Sequence, residues 1–335
     1  MAMLLLDRAG LELSCDGDAI ALHEGGARRG SVPLKLIERC VIQGASTRLD
    51  SGVLLKLAEA GVATVLLSPR MQRRVAIVLG PAHNDAALRL AQTQRVLDEA
   101  YCLRWSHELV RSKLQHQRRM ILRWKAARAD ARKPLTDALR GVEQALALLD
   151  DADAGADAPP TLARLRGIEG AAARAHFGGL AAVLPPVLGF AGRNRRPPRD
   201  PANALLSLGY TMLHVEAVQA CHQAGVDPLL GYYHRPSFGR ESMASDLIEP
   251  LRAQVDGWVW QLTRDRTLRA DHFGDDRGAC LLGKAGRSIF YAQWALASRP
   301  WRRWLRRVAA GIARDLRGQG EQLLARLAPE EDEEP

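Results

Sequence analysis

The amino-acid sequence predicts an α+β chain of two domains: a small N-terminal β domain, made of β-strands with one helix, followed by a larger all-α domain. Three observations predict it. At 335 residues the chain exceeds what one core usually organises. Up to about residue 80 the apolar residues come in short runs broken by turn chemistry, and from about residue 85 they recur with a helical period. A hydrophobic content of 47% with 25% charged residues belongs to a folded chain and not to a disordered one.

Taken in order, Leu4 to Leu6, Leu11 to Cys15 and Ala19 to His23 are short apolar or alternating runs. Ala9-Gly10, Asp16-Gly17-Asp18 and Gly25-Gly26 separate them as turns. VPLKLIERCVIQG reads as another pair of short strands. In DSGVLLKLAEAG, Asp50 caps a helix on which Val53, Leu54 and Leu57 share a face, and Gly61 ends it. Val62 to Ser68 is a buried strand. Helices are then expected at about 85–128, 161–182, 201–224, 242–263 and 285–327. The predicted domains are 1–84 and 85–328. DDADAGADAPP, at 150–160, is expected to be a flexible acidic loop, and 329–335 a disordered acidic tail. Short sheets leave edges that template pairing, so residues 1–84 are expected to carry a homodimer contact.

The formal charge of +9 favours a polyanionic partner, nucleic acid first. Cys15, Cys40, Cys102, Cys221 and Cys280 form no CxxC pair, which argues against a zinc ribbon or a disulfide framework. No apolar stretch approaches the roughly 18 residues needed to span a bilayer, and the N-terminus has no basic region before its apolar run. A cytoplasmic protein without a membrane segment is the expectation.

Three separated segments offer metal-competent side chains. EGAAARAHF carries Glu169 beside Ala172 and Ala173, small residues that admit close approach. GYYHRPSFGR carries His234 in a Gly- and Pro-bounded loop. SDLIEPLR carries Asp246 and Glu249, three residues apart on one helix face. One imidazole with two or three carboxylates suits Mg²⁺ or Mn²⁺ better than structural zinc. Such an ion polarises a phosphate and activates an attacking hydroxyl. A bland account also stands: a Glu complementing a helix dipole, a solvated acidic face and a surface histidine. In RDPANALLSLGYTML, Asp200 and Pro201 are helix-start chemistry, while Asn203 and Tyr210 share a face and could support a site.

Residues 111–133 hold nine Lys/Arg against one acid, Asp130, and include Lys113, Arg118, Arg119 and Arg123, with Trp124 interleaved. Arg193, Arg195, Arg196 and Arg199 cluster before Asp200, and Arg235 follows His234. These are the candidate phosphate contacts, a solvated helix face being the alternative for the first cluster.

With these motifs in series, the chain resembles the CRISPR-associated Cas-one (Cas1) family of spacer-acquisition integrases and endonucleases. VPLKLIERCVIQGASTRLDSGVLLKLAEAGVATVLLS resembles its β-domain signature, and AQTQRVLDEAYCLRWSHELVRSKLQHQRRMILR its linker and first catalytic-domain helix. EGAAARAHF, DPANALLSLGY, GYYHRPSFGRESMASDLIEPLR and HF…GACLLGKAGR follow in family order. The resemblance implies a divalent metal, Mg²⁺ or Mn²⁺, held by Glu169, His234 and Glu249, with Asp246 beside them as a further acidic site residue. Glu249 stands where some members have Asp, and His176 where a tyrosine is common. The implied activity is metal-assisted transesterification that inserts short DNA fragments into the CRISPR repeat, with DNA nuclease activity. The implied partners are double-stranded DNA (prespacer and repeat), a second copy in a homodimer, and a Cas-two (Cas2) dimer completing a heterohexamer. A casposase-like transposon integrase, a repair nuclease of the same fold and a catalytically silent DNA-binding scaffold are the alternatives.

Overall fold

The computed structural model describes residues 2–44, 46–68, 74–81, 83, 85–153, 161–194 and 197–327. The expected tail at 329–335, most of the expected loop at 150–160, and Arg195 and Arg196 lie outside the described residues.

The N-terminal strands form two four-stranded sheets. In the first, β1 (Ala2–Leu6) pairs in parallel with β5 (Ile37–Ile42), β5 in parallel with β7 (Ala63–Leu67), and β7 antiparallel with β8 (Arg74–Val78). In the second, β2 (Leu11–Asp16), β3 (Ala19–Glu24) and β4 (Ala27–Pro33) form an antiparallel meander, and β6 (Arg48–Leu49) lies parallel to β2. Gly17, Gly25 and Gly26 take positive φ at the hairpin turns, and Gly10 does so at the turn between β1 and β2, where a side chain would be strained. The helix α1 (Ser51–Glu59) packs on β2 and β7. VPLKLIERCVIQG holds one full strand, β5, because Leu34–Leu36 forms a 3₁₀ turn between the end of β4 and its start.

Strand alternation makes the first sheet a shared wall. Cys40 and Ile42 of β5 join Leu6, Leu13, Ile20 and Leu57 in a core between the two sheets. Val41, Val65 and Leu67 join the helical core on the other side. Arg39, also on β5, is buried against Glu216 of α6 (Pro201–Ala224) at 2.5 Å and against Gln219.

The helices are shorter and more numerous than their periodicity suggests. The predicted helix over 85–128 is two, α2 (Ala86–Leu97) and α3 (Glu99–Ala127), since Asp98 turns extended and accepts from the Tyr101 N–H as an N-cap. α4 (Arg132–Asp153) was not anticipated, although its buried Leu135, Ala138, Val142, Ala145 and Leu149 recur at helical spacing. α5 spans Leu162–Val183. The stretch 242–263 divides at Pro250 into α7 (Ser242–Ile248), a 3₁₀ turn Glu249–Leu251, and α8 (Arg252–Arg264). The stretch 285–327 divides at Ser298 into α9 (Lys284–Ala297) and α10 (Arg299–Ala325), with Pro300 in the first turn of the second. A hairpin, β9 (Phe273–Asp276) and β10 (Ala279–Leu282), precedes α9. α6 is buried on nearly every side and forms the centre of the helical layer. Among the described residues no helix is long and apolar enough to cross a membrane.

Candidate metal and DNA-processing site

Four elements bring the site together. Glu169 lies two turns inside α5, so complementing the helix dipole does not account for it. The small residues of α5 admit α4 closely: a Cβ on Gly141 would stand 2.7 Å from the Ala175 Cβ, and one on Gly179 would stand 3.0 Å from that of Ala138. Lys113 reaches in from α3, its ammonium touching Glu169 Oε1 and lying 2.5 Å from Glu249 Oε2. Glu249 opens the 3₁₀ turn after α7, and His234 stands on the loop between α6 and α7 with Nε2 4.0 Å from Glu249 Oε1.

Asp246 has a different task from Glu249. Fully buried, it accepts from the backbone N–H groups of Tyr232 (2.8 Å), Tyr233 (3.0 Å) and His234 (2.9 Å). Its Oδ1 also lies 2.6 Å from His234 Nδ1. Burial pushes the Asp246 carboxyl up, while the bonds and charge of His234 pull it back. Asp246 therefore fixes the loop and the ring of His234. With Nδ1 held at that carboxylate, Nε2 faces Glu249.

Burial would also raise Glu249, but Arg252, Lys113 and His234 outweigh it and hold its carboxyl at about 2. Arg252 pairs with Glu249 Oε1 at 3.0 Å and stacks over the Tyr210 ring at 4.8 Å. The Tyr210 hydroxyl donates to Asp256 Oδ1, and His176 Nε2 lies 2.8 Å from Asp256 Oδ2. Tyr210 thus supports the site through Arg252. Asn203 stands further out: its Oδ1 accepts from Arg193 at 2.6 Å, and Arg193 also lies over the Tyr210 ring, at 5.4 Å. His176 is wholly buried beside Trp124 and takes no part in the carboxylate cluster.

Several residues escaped the sequence reading. Arg252 was within reach of it, three positions after Glu249. Tyr233 was not, since only the fold turns it toward Glu169 and Glu249, whose charges add to burial in raising its hydroxyl. Arg166 lies over the Tyr233 ring at 6.0 Å.

The basic residues part ways. Lys113 is not on an open basic face but buried between two carboxylates. Trp124 is 0% exposed and offers no ring to a base. Arg193 is held by Asn203 and Ser207, and Arg235 turns inward to the Val96 carbonyl (2.9 Å) and Cys102 Sγ (3.0 Å). Arg118, Arg119, Arg123 and Arg199 are exposed. Arg118 and Arg119 line a shallow groove with Arg111 and Gln115.

Among the described residues no three His, Cys, Asp or Glu side chains stand close enough to enclose a metal ion as they are. The Lys113 ammonium lies between two of the three expected donors. That ammonium is itself a stand-in, since a buried cation bridging Glu169 and Glu249 marks the point where this cluster stabilises positive charge. Two carboxylates and one imidazole fit a hard divalent ion in chemistry.

Comparisons with known proteins find relatives over nearly the whole chain. The family model for CRISPR associated protein Cas1 matches residues 4–295. A CRISPR-associated endonuclease Cas1 of Thermodesulfovibrio yellowstonii is 34% identical over 309 residues, covering 90% of this chain and 94% of the relative. Among solved structures, a casposase bound to integration product superposes with a TM-score of 0.79 at 20% identity, over 95% of this chain and 91% of the other. A Cas6-RT-Cas1–Cas2 complex contains a chain that superposes with a TM-score of 0.75 at 22% identity, over 95% of this chain and 35% of that one.

Proposed function

The chain belongs to the CRISPR-associated Cas1 family, and from that premise we propose that it is a metal-dependent DNA integrase and nuclease of CRISPR adaptation. The observation that carries this reading is that Glu169 and Glu249 share one buried ammonium, that of Lys113, while His234 Nε2 lies 4.0 Å from Glu249 Oε1. Glu169, Glu249 and His234 Nε2 would hold one Mg²⁺ or Mn²⁺. Bound there, it would supply charge stabilisation at a phosphodiester under attack by a DNA 3′-hydroxyl. Asp246 keeps His234 oriented, and Arg252, braced on Tyr210, keeps Glu249 ionised and fixed. The exposed Arg118, Arg119, Arg123 and Arg199 would position the duplex through its phosphates.

The partners are double-stranded DNA, a second copy of this chain and a Cas2 dimer. The edge strand β4, mostly exposed, supports the homodimer, because its unpaired backbone can extend the sheet across a twofold axis. The solved Cas1–Cas2 complex of like fold supports the second association. Sedimentation of the full chain, alone and with the Cas2 protein, should give the mass of a dimer and then of the larger assembly.

The decisive experiment is strand transfer of a labelled short duplex into repeat DNA, with Mg²⁺, with Mn²⁺ and with chelator, in the presence of Cas2. Metal-dependent joining supports the proposal. DNA binding without cleavage or joining under every condition would make the chain a scaffold.

A further inference from the structure

Lys113 combines three features that its place in a row of basic residues did not suggest. Its side chain is 10% exposed, its ammonium contacts carboxylates from two different elements, and both belong to the proposed donor set. The two oxygens of Glu249 are already divided between cations, Oε1 facing Arg252 at 3.0 Å and Oε2 facing Lys113 at 2.5 Å. A divalent ion joining Glu169 to Glu249 must therefore displace one of them, since like charges at that range repel strongly in a buried site.

Arg252 is poorly placed to leave. It is a planar cation held against the Tyr210 ring, and Tyr210 is tied to Asp256. Lys113 is a point charge on a flexible four-carbon stem, and among the described residues its two carboxylates are its ion-pair partners. Resting on the metal-dependent reading above, we infer that Lys113 is an exchangeable counter-cation of the site. Its ammonium neutralises Glu169 and Glu249 before a divalent ion binds, gives them up when the ion arrives, and then turns to the phosphate of the incoming DNA. No covalent bond is made or broken, and the ammonium keeps its proton throughout. The phosphate supplies the negative charge that the displaced ammonium would otherwise lack. Before metal binds, the ammonium prevents two carboxylates from facing each other unneutralised, a state that costs stability.

The test is a calorimetric titration with MnCl₂ of the unmodified chain and of Lys113→Met, Lys113→Arg and Glu169→Gln, near neutral pH and without DNA. Thermal unfolding is measured in parallel, in chelator and in Mn²⁺. Lys113→Met should bind Mn²⁺ about tenfold tighter or more, because a competing cation has gone. It should melt below the unmodified chain in chelator and close to it in Mn²⁺. Lys113→Arg, which keeps the charge, should bind no tighter than the unmodified chain. In DNA titrations Lys113→Met should match the unmodified chain in chelator and bind more weakly in Mn²⁺, where the ammonium has turned to phosphate.

Mn²⁺ affinity of Lys113→Met equal to or weaker than that of the unmodified chain would overturn the exchange. If Glu169→Gln still abolished Mn²⁺ binding in that case, the metal reading would survive it. No Glu169-dependent Mn²⁺ binding in the unmodified chain would sink both. If Lys113→Met folds only with metal, competition between the Mn²⁺-loaded protein and a graded chelator series measures the same affinity.

Discussion

Oδ1 of Asp246 lies 2.6 Å from Nδ1 of His234 and also accepts from the His234 backbone N–H at 2.9 Å. One carboxylate oxygen therefore fixes both the ring and the main chain of the same residue, while Oδ2 gathers the N–H groups of Tyr232 and Tyr233. Asp246→Ala strands these donors in a buried place. It should lower stability by roughly 3–5 kcal/mol and disable the site together with the fold of its loop. Asp246→Asn, which keeps an acceptor, should lose less stability. Chemical denaturation of both variants checks this, and a stability near that of the unmodified chain for Asp246→Ala would remove the anchoring role.

Glu169, His234 and Glu249 should separate chemistry from affinity. Each alanine variant should lose metal-dependent strand transfer by about a hundredfold or more, while duplex affinity, dominated by phosphate contacts, stays within a few-fold. Single-turnover joining assays beside equilibrium DNA binding make the comparison. Near-normal joining by any one of the three would exclude that residue as a ligand.

Arg119 and Arg123 are exposed on α3, the helix that also carries Lys113. Arg119→Glu with Arg123→Glu should weaken duplex binding and reduce the slope of log affinity against log salt by about one for each phosphate no longer neutralised. Affinities measured across a salt series provide the slope. An unchanged slope would assign both arginines to solvent.

Arg39 on β5 and Glu216 on α6 form an ion pair at 2.5 Å with side-chain exposures of 1% and 2%. Burial pushes the Glu216 carboxyl up and the Arg39 guanidinium down, and each charge opposes the shift in the other. Arg39→Met alone leaves a buried carboxylate without its cation and should cost about 3–5 kcal/mol. The double change Arg39→Met with Glu216→Leu should recover most of that loss, because two apolar side chains need no solvation. A double-mutant cycle by thermal unfolding tests the coupling; additive losses would show that the pair does not lock the sheet to the helices.

The sequence by itself determined the change from strands to helices near residue 85 and the chemistry available along the chain. Turn residues such as Gly10 and Gly17 and the strand-length apolar runs announced the strands of the β domain, because turn conformation and side-chain alternation are local properties. Glu169, His234 and Glu249 were legible as ligand types on separate segments, and the motifs around them were specific enough to suggest the family. Local chemistry also held clues that went unread, such as the capping Asp98 within a continuous helical period and the apolar stripe of α4. Only the tertiary structure decided which charges meet. Lys113 belongs by sequence to a basic row, yet the packing of α3 against α5 and the 3₁₀ turn at Glu249 places its ammonium between two carboxylates. Asp246 and Glu249 share a helical spacing, yet the turn at Pro250 gives them separate tasks, one facing Nδ1 and the other Nε2 of His234. The reason is physical: a side chain's type is fixed by the gene, but its electrostatic role is set by the charges that long-range packing brings within a few ångströms of it.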